Sequence, residues 1–225
     1  MEGNGSTERG TFNGFSYRLG ETYAHAGERV QRVLRTALVL FSERGYEGVS
    51  MDAIAEASGV AKQTLYNYFP SKEALFREVL AGAVRFLTEK TEETYEAARG
   101  LSPAERWRRV LWTKLELLCA HRSLLRLLVR FSSRGRVADL DVQEIFAPYF
   151  SLLDRLLASE RESGRASFAC AVEDVSGCVT DLFAGAVVGG LALAVLRRAL
   201  QERPPTEREK EALVAFYLRA LGFAP

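Results

Sequence analysis

Along most of this chain apolar residues recur every three or four positions, the spacing of one face of an α-helix. No long stretch alternates with the two-residue rhythm of a strand. The pattern predicts an all-α protein of roughly nine helices. Val30, Val33, Leu34, Ala37, Leu38 and Phe41 form one continuous apolar face on a first helix over about residues 27–44, with Gly45 as its stop. Ser50 is placed to cap a short second helix, and Asp52 sits in its first turn, favourable at the positive helix end. Met51, Ile54 and Ala55 point inward there. Gly59, in Ser58-Gly59-Val60, allows the left-handed backbone of a tight turn. A third short helix follows, with Val60, Leu65 and Phe69 on the inward side and its polar residues forming one exposed face.

Pro70 ends the third helix and Ser71 caps a long fourth, running to about Arg99 with a stripe of Leu75, Phe76, Val79, Ala83, Phe86 and Leu87. The fourth helix ends in acid: Glu89, Glu92, Glu93 and Glu96. Ser102 and Glu105 form a capping-box pattern with Pro103 at the first helical position. The helix they open runs to about Ala120 and carries Trp107, Val110, Leu111, Lys114, Leu115 and Leu118. A leucine-rich helix over 121–132, a loop at 133–136 and an amphipathic helix over 140–162, with Pro148 inside it, come next. A long apolar helix is expected at 171–200. Pro204-Pro205 breaks the chain, and Thr206 with Glu209 opens a last helix over about 207–221.

The second and third helices with the turn between them have the outline of a helix-turn-helix, whose second helix can lie in the major groove of DNA. Composition alone would not point to nucleic acid. The chain has 225 residues, 48% of them apolar, and a net charge of +1. Its first 70 residues hold seven basic and eight acidic side chains. Any attraction to DNA must therefore come from the placement of a few side chains and helix N-termini, and from dimerisation. Residues 1–25 read as a flexible arm, with Arg9 and Arg18 set against Glu2, Glu8 and Glu21. Cys119, Cys170 and Cys178 lack metal or disulfide spacing and read as small buried hydrophobes. His25 and His121 have no partners at ligand spacing, so neither metal nor cofactor is expected. The longest uncharged apolar run, 182–196, falls short of the ~20 residues of a membrane helix.

Over residues 33–80 the pattern becomes specific. Phe41-x-x-x-Gly45-Tyr46, Ser50, Ile54-Ala55-Glu56-x-x-Gly59-Val60 and Thr64-Leu65-Tyr66-x-Tyr68-Phe69-x-x-Lys72 stand in one order and spacing. This stretch resembles the DNA-binding region of the TetR family of bacterial transcriptional regulators. The resemblance implies a cytoplasmic, non-enzymatic, all-α homodimer. It would have a helix-turn-helix domain at 26–72 and a ligand-binding and dimerisation domain at 73–225. Such proteins usually repress from a palindromic operator and release it when a small molecule binds. Activation, or DNA binding without a ligand, remains an alternative within the same fold. An enzyme is the remotest reading, because no phosphate loop, metal cluster or nucleophile motif is present in the sequence.

Ser50, Lys62, Gln63, Thr64, Tyr66, Tyr68 and Lys72 are the candidate DNA contacts. Lys62 suits a guanine edge and Gln63 an adenine edge. Thr64 suits a thymine methyl or a phosphate, the tyrosines suit phosphate and sugar, and Ser50 and Lys72 suit phosphates at helix N-termini. In the family the positions matching Thr64, Tyr66, Tyr68 and Lys72 commonly touch DNA. The dimer surface is expected on Gly185, Val188, Gly189, Ala192 and Leu196, with Phe216 and Tyr217 of the last helix. Glycines inside a helix permit close approach of another backbone, and the family pairs its last two long helices. Phe86, Tyr95, Trp107, Trp112, Phe131, Phe146, Tyr149, Phe150 and Phe183 are candidates to line a pocket for a bulky apolar or aromatic ligand. Residues 99–136 hold ten Arg or Lys and two Glu. Arg122, Arg126 and Arg130 share one helix face, suited either to an anionic ligand or to a solvated stripe paired with the acidic end of the fourth helix.

Overall fold

A computed structural model describes residues 27–131, 136–162 and 205–220. Among these residues eight helices form: α1 (Glu28–Arg44), α2 (Met51–Ser58), α3 (Lys62–Tyr68), α4 (Lys72–Ala97), α5 (Pro103–Ala120), α6 (Arg122–Phe131), α7 (Val142–Glu162) and α8 (Glu207–Ala220). The expected arm at 1–25 and the expected helix at 171–200 lie outside the described residues. So do Phe183, Gly185, Val188, Gly189, Ala192 and Leu196.

The capping residues act as their chemistry dictates. Ser50 Oγ accepts from Ala53 N at 3.1 Å, Ser71 Oγ from Ala74 N at 3.1 Å, and Ser102 Oγ from Glu105 N at 3.3 Å. Thr206 and Glu209 close a full reciprocal box: Glu209 N donates to Thr206 Oγ1 and Thr206 N to the Glu209 carboxylate. Gly59 follows α2 in the left-handed region, at φ 64° and ψ 32°. Nothing lies within 4 Å of where its Cβ would stand. Gly59→Ala should therefore cost only the backbone strain, about 1 kcal/mol in a urea melt.

One small strand pair departs from the all-helical expectation. Arg136–Val137 (β1) and Leu140–Asp141 (β2) pair antiparallel, with Ala138 at φ 52° in the turn. Two residues per strand are too few to leave a period in the sequence. The ribbon takes Leu140 and Asp141 from the expected helix. Asp141 Oδ1 instead accepts from Gln143 N and Glu144 N, so α7 begins at Val142.

A single hydrophobic core runs from Val30 to Leu218. In it α1 packs on α2, α4 and α6, α4 packs on α5 and α7, and α8 packs on α5. Phe76 joins the three short N-terminal helices to the rest. Its ring meets Phe41 at 4.9 Å, Tyr46 at 5.0 Å and Phe131 of α6 at 4.8 Å. The core is thus continuous across residue 72.

Polar pins hold the bundle further along. Arg106 of α5, 6% exposed, meets Glu160 of α7, 2% exposed, at 2.6 Å. The Tyr95 hydroxyl of α4 donates to the same carboxylate oxygen at 2.5 Å. Arg106 also donates to the carbonyls of Ala98, Arg99 and Leu101, which fixes the α4–α5 turn. Lys210 of α8 pairs with Glu116 of α5 at 2.5 Å and with Glu207 at 2.8 Å, and Arg108 pairs with Glu211. The acidic end of α4 is met by Arg155 of α7, which pairs with Glu92 at 3.0 Å. Arg130 of α6 instead reaches the Glu43 carbonyl at the end of α1.

Candidate nucleic-acid interface

The sequence of α3 divides it into two sides. Leu65 and, just past its end, Phe69 are fully buried. Lys62, Gln63, Tyr66 and Asn67 are exposed, Thr64 and Tyr68 half-buried. Tyr66, at 45%, is one of two large hydrophobic side chains that stand exposed among the described residues. Ser50 is exposed at the N-terminus of α2, where its hydroxyl already serves as the cap. Tyr68 packs against the core with its ring, so any contact it makes outside must use its hydroxyl edge.

Three local bonds hold this face in place. Lys62 Nζ lies 2.6 Å from Asp52 of α2, both largely exposed, and this hydrogen bond raises the Lys62 pKa. Gln63 donates to Asn67 at 3.2 Å, one helical turn on. Lys72 Nζ donates to the Tyr46 carbonyl at 3.1 Å and stands 4.2 Å from the centre of the Tyr46 ring. Lys62 and Lys72, expected at a guanine edge and at a phosphate, each have an internal partner in the structure. Asn67 belongs to this exposed face too, beyond the sequence expectation. Its i+4 spacing from Gln63 is the signal that would have found it.

The pocket candidates do not form one group. Tyr95 and Trp107 meet edge to face at 5.9 Å, Phe146 and Tyr149 sit with Phe150 on α7, and Phe131 belongs to the Phe76 cluster. Trp107, Phe131, Phe146 and Tyr149 are almost wholly buried, and Phe86 nearly so. Trp112 lines an open cleft of about 560 Å³ between α4, α5 and α8, beside Thr94, Arg108, Arg109 and Glu211. A second cleft of about 410 Å³ is polar, with Arg44, Arg130 and Arg136 around Tyr46. On α8, Phe216 is 63% exposed whereas Tyr217 is buried, so adjacent residues face opposite ways. Cys119 and His121 are both half-buried. Burial raises the thiol pKa and lowers that of the imidazole.

A capped short helix, a left-handed glycine turn and a second helix with one polar, aromatic face define a helix-turn-helix DNA-binding protein. Residues 33–79 match the sequence model of the bacterial regulatory proteins of the tetR family. Residues 33–79 thus carry the DNA-binding region of the TetR family of bacterial transcriptional regulators. The chain is 25% identical over 182 residues to the uncharacterised HTH-type transcriptional regulator YhgD of Bacillus subtilis (strain 168), covering 81% of this chain and 90% of that one. It is 40% identical over 84 residues to the HTH-type transcriptional repressor KstR of Rhodococcus jostii (strain RHA1), covering 37% of this chain and 38% of KstR. Its fold matches the crystal structure of FadR from Bacillus subtilis in complex with stearoyl-CoA. The TM-score is 0.66 and the identity 19%, over 86% of this chain and 97% of that one. Among the described residues no helix is long and apolar enough to cross a membrane, and no three His, Cys, Asp or Glu converge as metal ligands.

Proposed function

We propose that this protein is a cytoplasmic homodimeric repressor. It binds a palindromic double-stranded DNA operator through residues 26–72 and leaves it when a small apolar or aromatic effector enters the bundle formed by residues 73–225. The observation that carries this reading is the exposed face of α3, where Lys62, Gln63, Tyr66 and Asn67 stand together over a fully buried Leu65. An exposed tyrosine among amides and a cation is poor material for a solvated surface and good material for a groove. KstR, a repressor, shares 40% of its residues with this chain over the matched stretch, which favours repression over activation. FadR holds stearoyl-CoA in the same fold, which favours an apolar effector. The C-terminal helices have no catalytic role in this proposal.

Dimerisation uses the 182–196 run together with Phe216 of α8. A two-fold pair would set the heads about 34–36 Å apart, one turn of DNA. Selection from a random DNA library tests the reading: a palindrome with half-sites one turn apart should be enriched. Enrichment of no sequence would overturn it. On the selected operator, Gln63→Ala should relax preference at one base pair, a loss of about 1–3 kcal/mol in discrimination. Lys72→Ala should weaken all sequences about equally and lower the salt slope by about 1. Anisotropy titrations in two or more salt concentrations separate the two effects.

A further inference from the structure

The same three helices that carry the Arg106–Glu160–Tyr95 pin carry a second polar group with a different character. Lys114 of α5 is 5% exposed, Thr91 of α4 is 2% and Tyr149 of α7 is 1%. Among the described residues Lys114 Nζ, Thr91 Oγ1 and Tyr149 Oη have no hydrogen-bond partner. The ammonium stands 4.9 Å from the centre of the Tyr149 ring, and the Thr91 hydroxyl is near enough to the phenol to bear on its ionisation. In sequence Thr91 lies one turn before Tyr95, Lys114 two turns after Arg106, and Tyr149 three turns before Glu160.

Buried lysines in proteins reach water with their heads or pair with carboxylates. Lys210 of this chain pairs with two glutamates. Lys114 does neither, and burial alone accounts for its lowered pKa. Its neighbours along the same helix face are Val110, Leu111 and Leu118, all buried. The pin satisfies its donors with Glu160; the second group has an ammonium and two hydroxyls but no carboxylate. Buried unsatisfied groups are rare because they cost stability, and they concentrate where a ligand completes them.

We propose that Lys114, Tyr149 and Thr91 recognise the carboxylate of an otherwise apolar effector, its hydrocarbon part lying among the leucine and phenylalanine side chains of α5 and α7. An ammonium and two hydroxyls can saturate the two oxygens of one carboxylate, and the Tyr149 ring face steadies the cation. This deepens the effector reading above and rests on it. It distinguishes a free acid from a thioester or an alcohol of the same chain length.

The test is calorimetry on the full-length protein with benzoate, decanoate and palmitate, their matched alcohols, and decanoyl-CoA. At least one acid should bind about tenfold more tightly than its alcohol, the scale of a charge-assisted hydrogen bond. Lys114→Met should erase that preference, and Tyr149→Phe should reduce it. The assignment falls if acid and alcohol bind alike, if Lys114→Met keeps the preference, if decanoyl-CoA outcompetes decanoate, or if no acid binds. A melting temperature of Lys114→Met at or above wild type shows that the variant folds. Anisotropy on the selected operator separates the two readings. Release by acids and alcohols alike would leave the effector reading standing and sink the carboxylate. Lys114-dependent acid binding with no effect on DNA would do the reverse.

Discussion

Lys114→Met is expected to stabilise the ligand-free protein at pH 7 by several kcal/mol, on the order of 4. Burial pushes the Lys114 pKa from 10.5 down to about 7. In the unfolded chain the amine keeps its ordinary value. Between about pH 7 and 10.5 the unfolded state therefore holds a proton that the folded state has lost, and wild-type stability rises with pH through that window. Below about pH 7 both states are protonated and the cost of the buried ammonium is fully present. Methionine has a similar length and no charge, so the advantage of the variant should be largest at pH 6–7 and shrink towards pH 10. Urea melts of both proteins across that range measure the difference. A gap that stays constant with pH would mean that the ammonium already has water or a carboxylate beside it.

Glu160→Ala is the second large effect, in the opposite direction. The carboxylate is buried, and it accepts from Arg106 at 2.6 Å and from Tyr95 at 2.5 Å. Its removal leaves a guanidinium that is 6% exposed with only the Tyr95 hydroxyl and backbone carbonyls, all neutral, to answer its charge. Breaking such a pair costs about 3–5 kcal/mol, although the intact pair contributes little over an apolar replacement. For a chain of this size that is a fall of roughly 10 °C in melting temperature. The double variant Arg106→Met with Glu160→Leu should recover most of the loss. If Glu160→Ala melts with wild type, Arg106 has found water and the pin is not a buried one. Because the pin ties α4, α5 and α7 at one level, its loss should also widen the response of the bundle to ligands.

The features legible in the sequence are those decided within one turn of chain. Ser50, Ser71, Ser102 and Thr206 cap helices because a hydroxyl three residues before a free N–H needs no distant partner. Gly45 and Gly59 stop helices because both adopt positive φ. The inward positions of α1, α3 and α5 follow from spacing alone, and that spacing already placed Lys114 on an apolar stripe. What such a stripe does not tell is whether a lysine on it escapes to water, and that depends on α4 and α7. The Arg106–Glu160 pair is illegible for the same reason: 54 residues separate its members. Tyr95 reads as one more aromatic ring until Glu160 is seen against its hydroxyl. On α3 the exposed set was legible, but the internal partners of Lys62 and Lys72 were not. One comes from the preceding helix and the other from a carbonyl 26 residues away.

The Lys62–Asp52 pair bears on how a regulator searches a chromosome. Two exposed groups 2.6 Å apart hold each other weakly, yet the pair presents little net field to a passing duplex. A random stretch offers phosphates, and to engage Lys62 it must displace an acid that is already in place. On the proposal that Lys62 reads a base edge, an operator would bring the exchange closer to even. A net charge of +1 adds little long-range attraction for indiscriminate adhesion. On that proposal such a head would spend little time on the wrong DNA. A small number of molecules per cell can then keep one promoter occupied, and few are held in reserve elsewhere on the genome.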